Sequence, residues 1–157
     1  MRRLLLLAIG ILPLVMFGFA TDAAASDGHH GKVHLEATLL GANERPTPAT
    51  SSDLTGDATV TINLRTNVLC WKLDYDTEQT VVAAHIHHGA AGVAAPVIFG
   101  FFNPPPSPTV VNKGCRAGDP ALLADIVAHP GNYYVNVHTT TFPGGAGRGQ
   151  LSRESDD

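Results

Sequence analysis

Three histidines stand where they can share one ion. His85 and His87 lie at i and i+2 in Ala84-His85-Ile86-His87-His88-Gly89. Alternate side chains of a strand leave the same face, so the two imidazoles point the same way, roughly 6.5–7 Å apart along the backbone. That spacing suits two ligands of one metal. His138 is expected to supply a third, because it ends a later strand and precedes a Gly-rich loop. Neutral imidazole binds copper and zinc well, and three histidines with an open position suit either ion. A polar strand face without metal fits the same pattern, with His138 bonding a backbone carbonyl. His88 alternates away from the pair and is not a ligand. His129 is expected at a helix C-terminus, where its charged form meets the helix dipole favourably.

Three polar residues are expected around this set. Glu44 is placed to orient an imidazole from behind, or else to pair with Arg45 or Arg148. Asn136 and Arg148 complete the surround. Beside an open copper position, Arg148 would attract an anion such as superoxide; a surface residue paired with Glu44 is its plainer role. No Ser-His-Asp order, G-x-S-x-G, H-E-x-x-H or phosphate loop is present. No catalytic residue is assigned, and Asp74, Asp76 and Glu78 read as a solvated turn.

The elements that must hold these side chains are strands. Val33, Leu35, Ala37 and Leu39 alternate with polar residues, as do Ala58, Val60, Ile62 and Leu64. Such period-2 patterning marks strands with one buried face. Arg65-Thr66-Asn67 turns the second run into a third, where Leu69, Trp71, Leu73 and Tyr75 share a face. Further strands are predicted over residues 80–87, 97–102, 133–139 and 148–152. Residues 41–53 read as a loop, and the Pro-rich stretch 103–108 forbids ladder pairing. Asp119-Pro120 opens a short helix with Asp as N-cap and Pro at its first position, and Pro130-Gly131 ends it. The fold class is all-β with one short helix: a Greek-key or immunoglobulin-like β-sandwich, or a Cu/Zn-superoxide-dismutase-like alternative.

The N-terminus predicts export. Arg2 and Arg3 precede an almost unbroken apolar run from Leu4 to Ala20, and Ala23 and Ala25 supply the small residues a signal peptidase requires. Cleavage after Ala25 removes residues 1–25 and leaves a His-containing lead at 26–31, one domain at 32–152 and an acidic tail at 153–157. The expected location is extracellular or periplasmic, with no membrane attachment after cleavage. The whole chain carries a formal net charge of −4 and no basic run, which argues against nucleic acid as a partner. Cleavage after Ser26 instead would expose Asp27-Gly28-His29, whose amine, two amides and imidazole form a square-planar Cu(II) or Ni(II) chelate.

In an oxidising compartment Cys70 and Cys115 read as one disulfide, worth on the order of 4 kcal/mol in the chain-entropy model; two thiolate metal ligands are the rival reading. Met1 and Met16 leave with the leader. With neither thiolate nor thioether to offer, a blue-copper site is disfavoured.

The sequence resembles the CHRD domain family, the module repeated in the secreted animal protein chordin and found singly in many bacterial exported proteins. The carrying segments are Leu39-Leu40-Gly41-Ala42-Asn43-Glu44-Arg45-Pro46, Ala84-His85-Ile86-His87-His88-Gly89, Gly131-Asn132-Tyr133-Tyr134-Val135-Asn136-Val137-His138-Thr139 and Arg148-Gly149-Gln150-Leu151. They cover about 33–151. Ala146-Gly147 departs from the acidic and aliphatic pair usual before the arginine. The resemblance implies a secreted β-sandwich and pairs His85 and His87 with His138; it supplies no activity. The expected function is non-enzymatic binding of copper, or less favourably zinc. The alternatives are a metal-free module that binds an extracellular protein or polysaccharide, its histidines hydrogen-bonded to Glu44, Asn136 and Thr139, and a copper enzyme acting on superoxide.

Overall fold

A computed structural model describes residues 31–45, 52–102 and 112–153. The leader, the Asp27-Gly28-His29 chelate, the Pro-rich stretch 103–108 and the acidic end of the tail lie outside the described residues.

The fold is all-β with one helix, as the alternation requires. Strands β1 (Lys32–Leu40), β2 (Thr55–Asn63) and β3 (Val68–Asp76) form an antiparallel meander. Asn67, at φ 53°, supplies the left-handed residue of the β2–β3 turn. Strands β4 (Val81–His88), β5 (Val97–Phe102), β6 (Lys113–Ala117), β7 (Tyr133–Thr139) and β8 (Gly147–Gln150) join them in the order β5-β4-β7-β8-β1-β2-β3-β6. A short β9 (Ser152–Arg153) also pairs with β1. The chain thus passes several times between strands that are not neighbours in the sheet. All strands belong to one hydrogen-bonded sheet, whose two halves share one core. The sheet nearly closes on itself: Arg116 of β6 donates to the Gly100 carbonyl of β5 at 2.8 Å.

The inner face holds the core. Leu35, Val60 and Trp71 lie side by side across β1, β2 and β3, and Ile86 lies between Phe99 and Val135 across β5, β4 and β7. All six are buried, and each such aliphatic or aromatic side chain contributes about 1.5–3 kcal/mol by leaving water. Helix α1 (Pro120–Ala128) adds Leu123 and Ile126 to the same core. Asp119 caps it by accepting the Leu122 N–H at 2.9 Å, and His129 is its C-cap residue, with Nδ1 3.0 Å from Asp125.

β6 escaped the sequence reading, because Lys-Gly-Cys-Arg-Ala has no apolar alternation. Other forces hold it. The Cys70–Cys115 disulfide crosses between directly opposed residues of β3 and β6. One register step away the Trp71 indole covers Gly114, where a Cβ would come within 2.6 Å of the ring. Trp71 also stacks on Phe101 of β5, ring centroids 5.0 Å apart. The disulfide and the indole therefore fasten the last strand where the sheet approaches closure.

Candidate metal centre

The outer face of β4, β7 and β8 carries a polar layer. The register sets it out in rows across the three strands: His85–Asn136–Arg148, then His87–Tyr134–Gln150, with His138 opposite Ala83. The same pleat turns Ala84, Ile86, Val135 and Val137 inward to the core. A polar residue on an outer face is ordinarily wet. Here His87, Asn136 and Arg148 are buried, as is Glu44 from the segment that follows β1. Three pieces of irregular chain come over them: the 3-10 turn Gly41–Asn43, the loop after β4 and the loop after β7.

The three histidines meet. One ring nitrogen from each of His85, His87 and His138 lies within 4.8 Å of the others. Ring centroids are 6.0 Å apart for His85–His87, 5.0 Å for His85–His138 and 6.3 Å for His87–His138. Tetrahedral ligands at about 2.0–2.1 Å from an ion sit about 3.3 Å from one another. Closing the set onto one ion takes movements of about 1 Å, within reach of small χ rotations.

Two of the rings are oriented from behind. His87 Nδ1 is 2.7 Å from the Ala95 carbonyl oxygen, and His138 Nδ1 is 3.0 Å from that of Pro143. A carbonyl only accepts, so each Nδ1 carries the hydrogen and each neutral ring keeps its lone pair on Nε2. Both Nε2 atoms are buried with no hydrogen-bond partner. Burial lowers the pKa of both rings below the usual histidine value, outweighing the carbonyl bonds that raise it. The Arg148 charge lowers His87 further, and His87 lowers His138. Neutral rings with available lone pairs are the form that binds a metal.

Tyr134 braces His87. The two rings stack 4.8 Å apart and 5° from parallel. The Tyr134 hydroxyl accepts the Ala95 N–H at 3.1 Å, so one residue supports both the imidazole and the segment that orients it. The Arg148 guanidinium also lies 4.6 Å from the Tyr134 ring centroid. Sequence reasoning gave Tyr134 no role; its place opposite His87 in the β4–β7 register was the signal available.

Arg148 pins the cover. Its Nε donates to the Asn43 carbonyl at 2.7 Å and its Nη1 to the Val93 carbonyl at 2.9 Å, while Asn43 Nδ2 donates back to the Arg148 carbonyl at 3.2 Å. Arg148 forms no ion pair with Glu44 among the described residues. Glu44 instead accepts from Asn136 Nδ2 at 3.5 Å, a long bond. Burial raises the Glu44 pKa to about 7 against the opposing pull of Arg148. Gly145, at φ 141°, passes so close that a Cβ would come within 2.4 Å of Glu44 Oε2. Glu44 Oε1, Asn136 Oδ1 and Arg148 Nη2 are buried without hydrogen-bond partners, like the two imidazole Nε2 atoms. Unsatisfied buried polar atoms are costly, and several lie together in this layer.

The remaining expectations sort around this centre. His88 is exposed and stacks on Tyr133, away from the three histidines. The two cysteines form the disulfide and offer no thiolate. His87 and His138 spend their Nδ1 atoms on backbone carbonyls rather than on Glu44, Asn136 or Thr139. No curated protein and no solved structure matches the chain. The family model described as CHRD domain matches residues 35–151, and the chain belongs to that family.

Proposed function

We propose that this is an exported, non-enzymatic protein that captures or carries a metal ion through His85, His87 and His138, with copper preferred to zinc. One observation carries the reading: the Nε2 atoms of His87 and His138 are buried and without partners while their Nδ1 atoms are held by backbone carbonyls. That is how metal-bound histidines are commonly oriented. The convergence of His85 on the same point supplies the third donor. All-nitrogen donors suit Cu and Zn, and copper binds more tightly at equal geometry. Export rests on the Arg2-Arg3 and Ala23-x-Ala25 pattern of the leader, and a disulfide is in keeping with an oxidising compartment.

Calorimetric titration of the purified protein with Cu(II) and Zn(II) tests the proposal. One high-affinity ion per chain is expected, lost in the His85→Ala, His138→Ala double variant. Unchanged affinity in that variant, with its fold intact by circular dichroism, refutes the assignment.

A further inference from the structure

A second site adjoins the polar layer and contains none of the three histidines. A cavity of about 230 Å³ is lined by Asn43, Arg45, Ala91, Gly92, Arg148 and Gln150. Arg45, Ala91 and Gly92 are exposed, so it opens to solvent, while Arg148 at its wall is 4 % exposed. Two arginines line this space and no acidic residue does, and Arg45 Nη1 also donates to the Ala42 and Glu44 carbonyls. Arg148 forms no ion pair among the described residues, because Glu44 turns its carboxyl to Asn136. Two carbonyls and the Tyr134 ring offset part of the cost of burying this cation, but its Nη2 is left without a partner, and an arriving anion would offset more.

The neutral walls narrow the chemistry. Asn43 uses its Nδ2 on the Arg148 carbonyl, and Gln150 uses its Nε2 on the Gly89 and Gly131 carbonyls. Gln150 thus spends both amide N–H groups and keeps its oxygen, which only accepts, while Asn43 spends one N–H and keeps the other beside its oxygen. The cavity combines cationic donors with neutral acceptors. Its complement carries an anionic group and hydroxyl donors on one small frame. Inorganic phosphate answers the first need but brings few donors at neutral pH. A volume of this size, below the range for drug-sized ligands, suits a single sugar-sized molecule.

We infer that the cavity between Arg45 and Arg148 binds a hydroxylated carboxylate, a sugar acid, with the carboxylate at the guanidinium groups and the hydroxyls at Asn43 and Gln150. Arg is the residue suited to planar recognition of a carboxylate. The ligand is either a free acid or one residue of an acidic polysaccharide. The site does not depend on the metal reading, since no histidine lines it.

Titration of the 15N-labelled protein with D-glucuronate, followed by amide NMR, tests this. Saturable shifts are expected at Asn43, Gly92 and Gln150, with glucose and inorganic phosphate binding at least ten-fold more weakly. Arg45→Gln should weaken glucuronate at least ten-fold, and Ala91→Phe should abolish binding by filling the cavity, both with zinc affinity unchanged. Tighter binding of an oligouronate than of the monomer identifies the polymer as the source; equal binding identifies the free acid. No saturable shift with glucuronate, equal shifts with glucose or phosphate, or undiminished binding in both variants overturns the inference.

Discussion

His87 lies flat against Tyr134, ring centroids 4.8 Å apart, and both residues reach Ala95: the imidazole through its carbonyl oxygen, the phenol through its N–H. One backbone residue is thereby held from both sides. The position of the His87 ring follows from this bracket as well as from strand β4.

Removing the phenolic oxygen isolates the bracket. Tyr134→Phe keeps the stacked ring and deletes only the bond to the Ala95 N–H. Metal affinity is expected to fall about ten-fold, the lower end of the effect of groups that orient metal ligands. Thermal stability should change little, since one such bond is worth about 1 kcal/mol. Calorimetric titration beside a thermal melt separates the two effects.

The buried carboxyl makes stability depend on pH in a defined direction. The folded pKa of Glu44, about 7, lies above its ordinary value of 4.5. Between those values the folded state holds the proton more strongly, so stability falls as pH rises through the window. Glu44→Gln removes the ionisable group. The variant should be more stable than the parent at pH 8, by on the order of 2 kcal/mol after allowance for solvent screening. The gap should close at pH 4. Urea unfolding of the metal-free proteins at both pH values measures it.

His87 and His138 act with the opposite sign. Their pKa values are lowered by burial, so the unfolded chain takes up protons first as pH falls below 6.5. Their contribution is present above pH 6.5 and is lost as pH falls toward their folded values. Bound metal must compete with the same protons. Zinc or copper affinity should therefore hold near pH 7 and decline as pH falls through the lowered pKa values of the two rings. Titrations across pH 5 to 8 follow this directly.

The disulfide bears on the closing edge of the sheet. Reduction, or Cys70→Ala with Cys115→Ala, should cost about 2–4 kcal/mol. β6 should be the first strand to exchange its amides, because otherwise it rests on the Trp71 indole over Gly114, its ladder with β3 and the Arg116 bond to Gly100. Hydrogen exchange with and without reductant reads this strand by strand.

Much of the fold was legible because its signals are local. Alternation in residues 33–39 and 58–64, the turn at Asn67 and the Asp119-Pro120 helix start each follow from neighbouring residues. His85 and His87 share a face for the same reason. The rest depends on contacts far apart in the chain. β6 has no apolar pattern because its anchors, Cys70 and Trp71, lie on β3. The sheet's order cannot be read from strand lengths, since β4 pairs with β7 across some fifty residues. Glu44 was singled out, but among the described residues it accepts from Asn136 and forms no ion pair with Arg148. A carbonyl bond to His138 was expected, but Pro143 as its source and the Ala95 carbonyl on His87 were not, because a backbone oxygen leaves no mark in a sequence.

Anomalous diffraction from a crystal of the protein loaded with zinc or copper tests the central claim most directly. The account predicts one peak per chain, about 2.0–2.1 Å from Nε2 of His87, from Nε2 of His138 and from one ring nitrogen of His85. A fully loaded protein with its ion bound elsewhere, and with those rings still apart, would contradict it.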